Sequence, residues 1–86
     1  MFGRPDLSPL PGALPLVAAT PGQPYEVVEL VGGRGMCRRL TDMGFVPGAV
    51  VTVTGGHGGG LIVTVLDCRL MLSRGMAQRI MVRPLM

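Results

Sequence analysis

The clearest hydrophobic pattern in the chain is a stripe of three apolar residues near its middle. Met36, Leu40 and Met43 recur at spacings of four and three, which places their side chains on one face of an α-helix. Gly44 follows where a glycine commonly closes a helix, because the left-handed backbone conformation carries no Cβ penalty there. The sequence therefore predicts a short amphipathic helix that ends at Gly44.

Most of the remaining apolar residues lie in short segments of alternating or β-branched character, which are typical of strands. Five strands are predicted, at residues 25–31, 49–54, 61–66, 69–72 and 80–83. Pro47 and Gly48 favour a tight turn before the second strand, and Ser73 is expected to cap one helical turn through Ala77. Ile80 and Val82 are expected to point inward. The prediction is a mainly β fold, a small barrel of about five antiparallel strands with one short α-helix and a helical turn.

Two segments lack this pattern. Residues 1–15 contain four prolines and few periodic apolar positions, and we predict a proline-rich flexible N-terminal tail, followed by one domain at residues 16–86. Residues 55–60 read GGHGGG, which we expect to form a mobile loop rather than a two-residue hairpin. Asp67 and Cys68 are expected to form the next turn.

Composition restricts the class of protein. The 86 residues are 48% hydrophobic with only three aromatic residues, so the core is expected to be aliphatic. No apolar run approaches the roughly 18 residues of a membrane span, and no secretory signal is recognisable, so a cytoplasmic protein is expected. Cys37 and Cys68 are expected to be buried thiols, with a disulfide or a shared metal as alternatives, because a disulfide-stabilised domain of this size usually carries more cysteines.

The residues needed for catalysis or tight metal binding are sparse. His57 is the only histidine, and the five carboxylates are scattered without a nucleophile and base pairing, so we expect no enzyme activity and no cofactor. The glycine-rich segment lacks the Lys-Ser/Thr of a phosphate-binding loop. His57, Cys37 and Cys68 are weak metal candidates, because their spacing matches no zinc template and thiolates favour zinc over ferrous iron.

Every basic residue is an arginine, and the net charge is +3. Arginine favours planar partners such as carboxylates and phosphates. The eight arginines are nevertheless spread along the chain, without the block of like charge that a nucleic-acid-binding tail carries. A solvated surface and a patch for an acidic protein partner are both compatible with this pattern.

Three segments together resemble a known family. RRLTDMGFVPG at residues 38–48 is similar to the "RRL.D.G..PG" segment of the ferrous iron transport protein A family. TPGQPYEVVEL at residues 20–30 resembles the first turn and strand of that family, and RLMLSRGMAQRIMV at residues 69–82 resembles its last strands and helical turn. The likeness covers about residues 16–82 and implies an SH3-like barrel. The family more often has a glycine where Asp67 and Cys68 stand, which implies a wide or strained turn here.

The resemblance implies an accessory protein of bacterial ferrous iron uptake. Such a protein would be cytoplasmic and would contact the cytosolic GTPase domain of the membrane ferrous iron transporter B, which would recruit it to the inner face of the membrane. Arg34, Arg38 and Arg39 lie off the apolar stripe, and with Phe45 they form the predicted contact surface, because arginines around an apolar residue are typical of interface centres. The alternative is that Phe45 belongs to the core and that the arginines are solvated.

Two functions of other classes stay open at this point. Small basic barrels also bind nucleic acid or the ribosome, which predicts binding that falls steeply with salt. The same fold resembles the C-terminal domain of iron-dependent repressors, which implies a regulatory interaction domain.

Overall fold

The structure, a computed structural model, describes residues 12–85. These residues form one antiparallel sheet of six strands, in the order β1-β6-β2-β3-β4-β5. The strands are β1 (Leu14–Pro15), β2 (Pro24–Leu30), β3 (Val50–His57), β4 (Gly60–Val65), β5 (Cys68–Ser73) and β6 (Ile80–Pro84). The helices are α1 (Arg34–Asp42) and α2 (Arg74–Ala77), and a 3-10 turn covers Leu16–Ala18. Register shifts in β2 and β3 are typical of bulges, which bend a sheet around its core.

Alternation along the strands produces the core. Inward side chains from five of the strands are buried together: Val27, Val51, Val53, Val63, Val65, Leu72, Ile80 and Val82. The inward positions predicted for Ile80 and Val82 are therefore confirmed, as is a mainly aliphatic core. Tyr25 is also buried, and its hydroxyl oxygen accepts a hydrogen bond of 2.9 Å from the Thr20 N–H. That bond satisfies a polar atom in an otherwise apolar interior.

The sheet has six strands rather than about five. Leu14 and Pro15, which the sequence placed in the flexible tail, pair with Val82 and Met81 of β6. Leu16 follows directly and is fully buried. A two-residue strand is too short to show alternation, so the local sequence carried no signal for it. Residues 1–11, the rest of the predicted tail, lie outside the described residues.

The glycine-rich segment is a hairpin and not a mobile loop, which corrects the prediction for residues 55–60. β3 continues to His57, which pairs with Gly60, and Gly58 and Gly59 form a two-residue turn between the strands. Gly58 has a φ of +62°, which hairpins of this length require. Gly60 lies so close to β5 that a Cβ there would be 2.9 Å from the carbonyl oxygen of Leu72. These glycines permit a tight turn and close strand packing.

The turn between β4 and β5 is tight rather than wide. Its two central residues are Leu66 and Asp67, and Cys68 already belongs to β5, where it pairs with Val65. Leu66 and Asp67 have φ values of +52° and +64°, a left-handed conformation that is unfavourable for residues with a Cβ. Local strain is therefore present at both residues.

Replacing Asp67 by glycine is expected to raise the free energy of unfolding by about 0.5–1 kcal/mol. Glycine adopts a positive φ without the Cβ penalty, and this gain exceeds the extra entropy that glycine loses on folding. Urea denaturation of the variant and the parent measures the difference. Asp67→Ala is the control, since it removes the same charge but keeps the Cβ; equal stability of the two variants would contradict the explanation.

Candidate protein-contact surface on helix α1

The C-terminus of α1 is fixed by a glycine cap. The Gly44 N–H donates to the carbonyl of Thr41, and the Phe45 N–H donates to the carbonyl of Leu40, both at 3.0 Å. These two bonds are those of a Schellman motif, and the φ of +108° at Gly44 is one that glycine tolerates. The predicted helix end at Gly44 is confirmed.

The apolar stripe of α1 faces the core, as predicted. Leu40 is buried, while Met36 and Met43 are partly buried and pack against the core cluster. Phe45 has an exposed fraction of 0% and belongs to the same cluster. The Schellman motif commonly brings the residue after the glycine against the last helical turn, which explains this inward position. Phe45 therefore offers no surface to a partner, and its inclusion among the contact residues is corrected.

The exposed part of α1 carries three arginines. Arg34, Arg38 and Arg39 are all exposed. Within residues 12–85, none of the three guanidinium groups has a carboxylate within ion-pair distance; the ion pair found there joins Arg83 to Glu26 at 3.9 Å. The helix thus carries three exposed positive charges.

Helix stability does not explain an arginine at the start of α1. The first turn contains no acidic residue, and Gly33 precedes it without a side-chain cap. A cation at a helix N-terminus interacts unfavourably with the helix dipole, by roughly 0.3–1 kcal/mol. Arg34 therefore occupies a position that a folding requirement alone would not favour.

An exposed apolar residue beside this helix was not predicted from the sequence. Leu66 is 63% exposed, yet its side chain lies against the C-terminus of α1: a Cβ on Gly44 would be 2.8 Å from Leu66 Cδ1. Val46, two residues beyond Gly44, is also exposed. The sequence pattern placed Leu66 at the end of a strand, so it gave no signal for this exposed turn position. Arg34, Arg38, Arg39, Val46 and Leu66 are called the α1 surface below.

The weak metal candidates do not form a site in the described structure. Cys37 is half-buried on α1 and Cys68 is exposed at the start of β5, and both are free thiols. The expected burial is wrong for Cys68, because it follows a surface turn on a strand at the sheet edge. The side chain of His57 lies outside the described part of the structure. Among the side chains that are described, no three of His, Cys, Asp and Glu are grouped to hold a metal ion.

Across residues 12–85, no helix has both the length and the apolar character needed to cross a bilayer. The curved six-stranded sheet, with one short amphipathic helix packed against it, defines a small SH3-like barrel domain. The model of the FeoA domain family matches residues 14–84, and the chain belongs to that family. The family resemblance and the fold predicted from the sequence are thereby confirmed.

Solved structures of FeoA proteins are similar over most of the chain. The crystal structure of an iron uptake regulatory protein, FeoA, is 36% identical, with 85% of this chain and 99% of that chain covered and a TM-score of 0.78. FeoA from Chlorobium tepidum is 28% identical, with 85% and 71% covered and a TM-score of 0.77. FeoA from Stenotrophomonas maltophilia, complexed with zinc, is 26% identical, with 78% and 86% covered and a TM-score of 0.69. That protein is described as a prokaryotic SH3 domain protein and a candidate activating factor of ferrous iron transport.

A manganese-dependent transcriptional repressor shares the fold. It is 23% identical, has a TM-score of 0.79, and is matched over 92% of this chain and 45% of its own. No protein of curated function matches the sequence significantly. The comparisons thus associate this chain with ferrous iron transport through its family.

Proposed function

We propose that this protein is an accessory protein of bacterial ferrous iron uptake that acts by contact with the cytosolic GTPase domain of the membrane ferrous iron transporter B. The observation that carries the proposal is the match of the FeoA domain model to residues 14–84. The protein is cytoplasmic and reaches the inner face of the membrane through this contact. It acts by binding, without catalysis and without a cofactor of its own.

The α1 surface is proposed as the contact region. Its guanidinium groups suit carboxylates on a partner, because arginine can make two parallel hydrogen bonds to one carboxylate. Leu66 supplies the apolar element that the sequence analysis had assigned to Phe45. Exposed apolar side chains together with arginines are a composition typical of interfaces.

Uptake of radioactive ferrous iron by bacteria that lack the gene tests this function. The wild-type chain is expected to restore uptake, whereas Arg38→Glu combined with Arg39→Glu is expected to leave it near the level of the deletion strain. Arg69→Glu combined with Arg74→Glu changes the net charge by the same amount on β5 and α2, and it is expected to restore uptake. Unchanged uptake in the deletion strain would contradict the proposed function.

A further inference from the structure

The outer edge of β5 lies at the end of the sheet that residues 12–85 form. β5 is the last strand in the sheet order, and no strand within residues 12–85 pairs with its outer side. Charged side chains and proline commonly protect an edge; the β5 sequence, CRLMLS, contains no proline and one charged residue, Arg69. Met71, near its centre, is 62% exposed. Such an edge is a template for another strand.

The hydrogen-bonding direction along β5 follows from one hydrogen bond at its end. The Arg74 N–H donates to the carbonyl of Gly59 at 3.0 Å, in the same register in which Gly60 lies opposite Ser73. Antiparallel ladders alternate between bonded and non-bonded pairs, so Cys68, Leu70 and Leu72 bond towards β4. Arg69, Met71 and Ser73 therefore turn their N–H groups outward, and the carbonyls of the first two also face outward. The carbonyl of Ser73 is engaged at the start of α2.

We propose that β5 pairs antiparallel with β5 of a second copy of this chain, about a two-fold axis at Met71. In this register the two Met71 residues exchange a pair of N–H···O=C bonds. At each end, the Ser73 N–H donates to the Arg69 carbonyl of the other copy. The two sheets become continuous, and the interface is distinct from the α1 surface.

Charge and side-chain chemistry select this register and favour a second copy as the occupant. Arg69 faces Ser73 of the other copy, so no like charges are opposed, and Leu70 faces Leu72. A two-fold axis at Leu70 would instead place the two Arg69 side chains diagonally, about 7–8 Å apart. With the axis at Met71, the exposed Met71 side chains of the two copies lie side by side on one face of the sheet, so each covers the other.

A depression beside Met71 gives the second methionine a place to pack. It has a volume of about 400 Å³ and is lined by Gly59, Gly60, Met71, Leu72 and Ser73. The two glycines leave this face of the hairpin without side chains. Methionine adapts to irregular gaps, so Met71 of the second copy can pack into part of this space.

Sedimentation equilibrium of the full chain tests the pairing. A single strand pair makes a small interface, so association is expected only towards high concentration, between about 10 µM and 1 mM. The wild-type mass is expected to rise from 9.0 kDa towards twice that value. Met71→Pro removes the outward N–H and keeps the hydrogen bonds to β4. Met71→Lys places two cations opposite each other at the two-fold axis. Both variants are expected to keep a mass of 9.0 kDa.

Val50→Lys is the matched control, because Val50 is 49% exposed on a strand that is paired on both sides. It is expected to dimerise like the wild type. Thermal unfolding followed by circular dichroism confirms that each variant is folded. A wild-type mass that stays at 9.0 kDa at 1 mM would overturn the proposal. So would dimerisation of both Met71 variants to the same extent as the wild type. If the wild type is monomeric and the Met71→Pro variant no longer binds the GTPase domain of the transporter, the edge pairs with a strand of the transporter and not with a second copy.

Cysteine cross-linking measures the register. In a chain with Cys37→Ser and Cys68→Ser, Met71→Cys is expected to form disulfide-linked dimers under mild oxidation, because directly opposed residues in a bonded pair have Cα atoms about 5.5 Å apart, within disulfide range. Val50→Cys in the same background is expected to cross-link at least about tenfold more slowly. Equal rates for the two positions would contradict a two-fold axis at Met71.

Discussion

Replacing Phe45 by alanine is expected to lower the free energy of unfolding by about 3–5 kcal/mol. Phe45 is fully buried and is among the largest side chains of the core, so alanine removes its apolar contacts and leaves a cavity. A domain of 86 residues is stable by roughly 4–13 kcal/mol in total, and the loss is a large share of that. Urea denaturation measures this loss of unfolding free energy, with one common slope of free energy against urea concentration used for all variants.

Two substitutions serve as controls for Phe45→Ala. Phe45→Leu keeps most of the apolar volume and is expected to cost clearly less than alanine at the same position. Val46→Ala alters the exposed neighbour and is expected to change stability by less than about 0.5 kcal/mol. An alanine variant that keeps full stability but fails to bind the transporter domain would mean that Phe45 is a contact residue and not a core residue.

Reversing the charge of Arg38 and Arg39 together is expected to weaken binding to the transporter's GTPase domain by about 30-fold or more. That factor corresponds to roughly 2 kcal/mol, the usual loss for an important interface arginine. Both side chains are exposed and lack a carboxylate partner within residues 12–85, so their replacement breaks no ion pair there. Isothermal titration calorimetry of each variant with the isolated domain measures the affinity.

The matched control for this prediction is Arg69→Glu with Arg74→Glu. Both pairs of substitutions change the net charge from +3 to −1, so long-range attraction is altered equally. The control is expected to bind within about threefold of the wild type, because its residues lie on β5 and α2. If both variants weaken binding equally, the affinity depends on net charge and not on α1.

Local sequence patterns were sufficient for the features that local physics determines. The spacing of Met36, Leu40 and Met43 predicted the buried face of α1, and Gly44 predicted its end, because a helix stripe and a glycine cap depend on neighbouring residues alone. Ser73 was likewise predicted as a cap, and its hydroxyl accepts the Met76 N–H at 3.2 Å. The structure confirms these predictions, which needed no information from distant parts of the chain.

Features that depend on distant contacts were not predictable. β1 exists because Leu14 and Pro15 meet β6, about 65 residues later in the chain. Gly60 looked like a loop residue, but the close approach of β5 is what requires it. Phe45 adjoins exposed arginines in the sequence, and only the geometry of the helix cap directs it inward. Phe45 was therefore wrongly predicted to be exposed. Leu66 could be recognised as an exposed apolar residue beside α1 only from the structure.

An amide NMR titration tests the proposed contact of the α1 surface with the transporter most directly. The isotope-labelled full chain is titrated with the cytosolic GTPase domain, and in parallel with a random-sequence RNA at the same ionic strength. Shifts confined to α1 and the adjoining turn at Leu66, with the protein only, are the expected result. A response to RNA alone that fades with added salt, or no response to the GTPase domain, would contradict the proposed function.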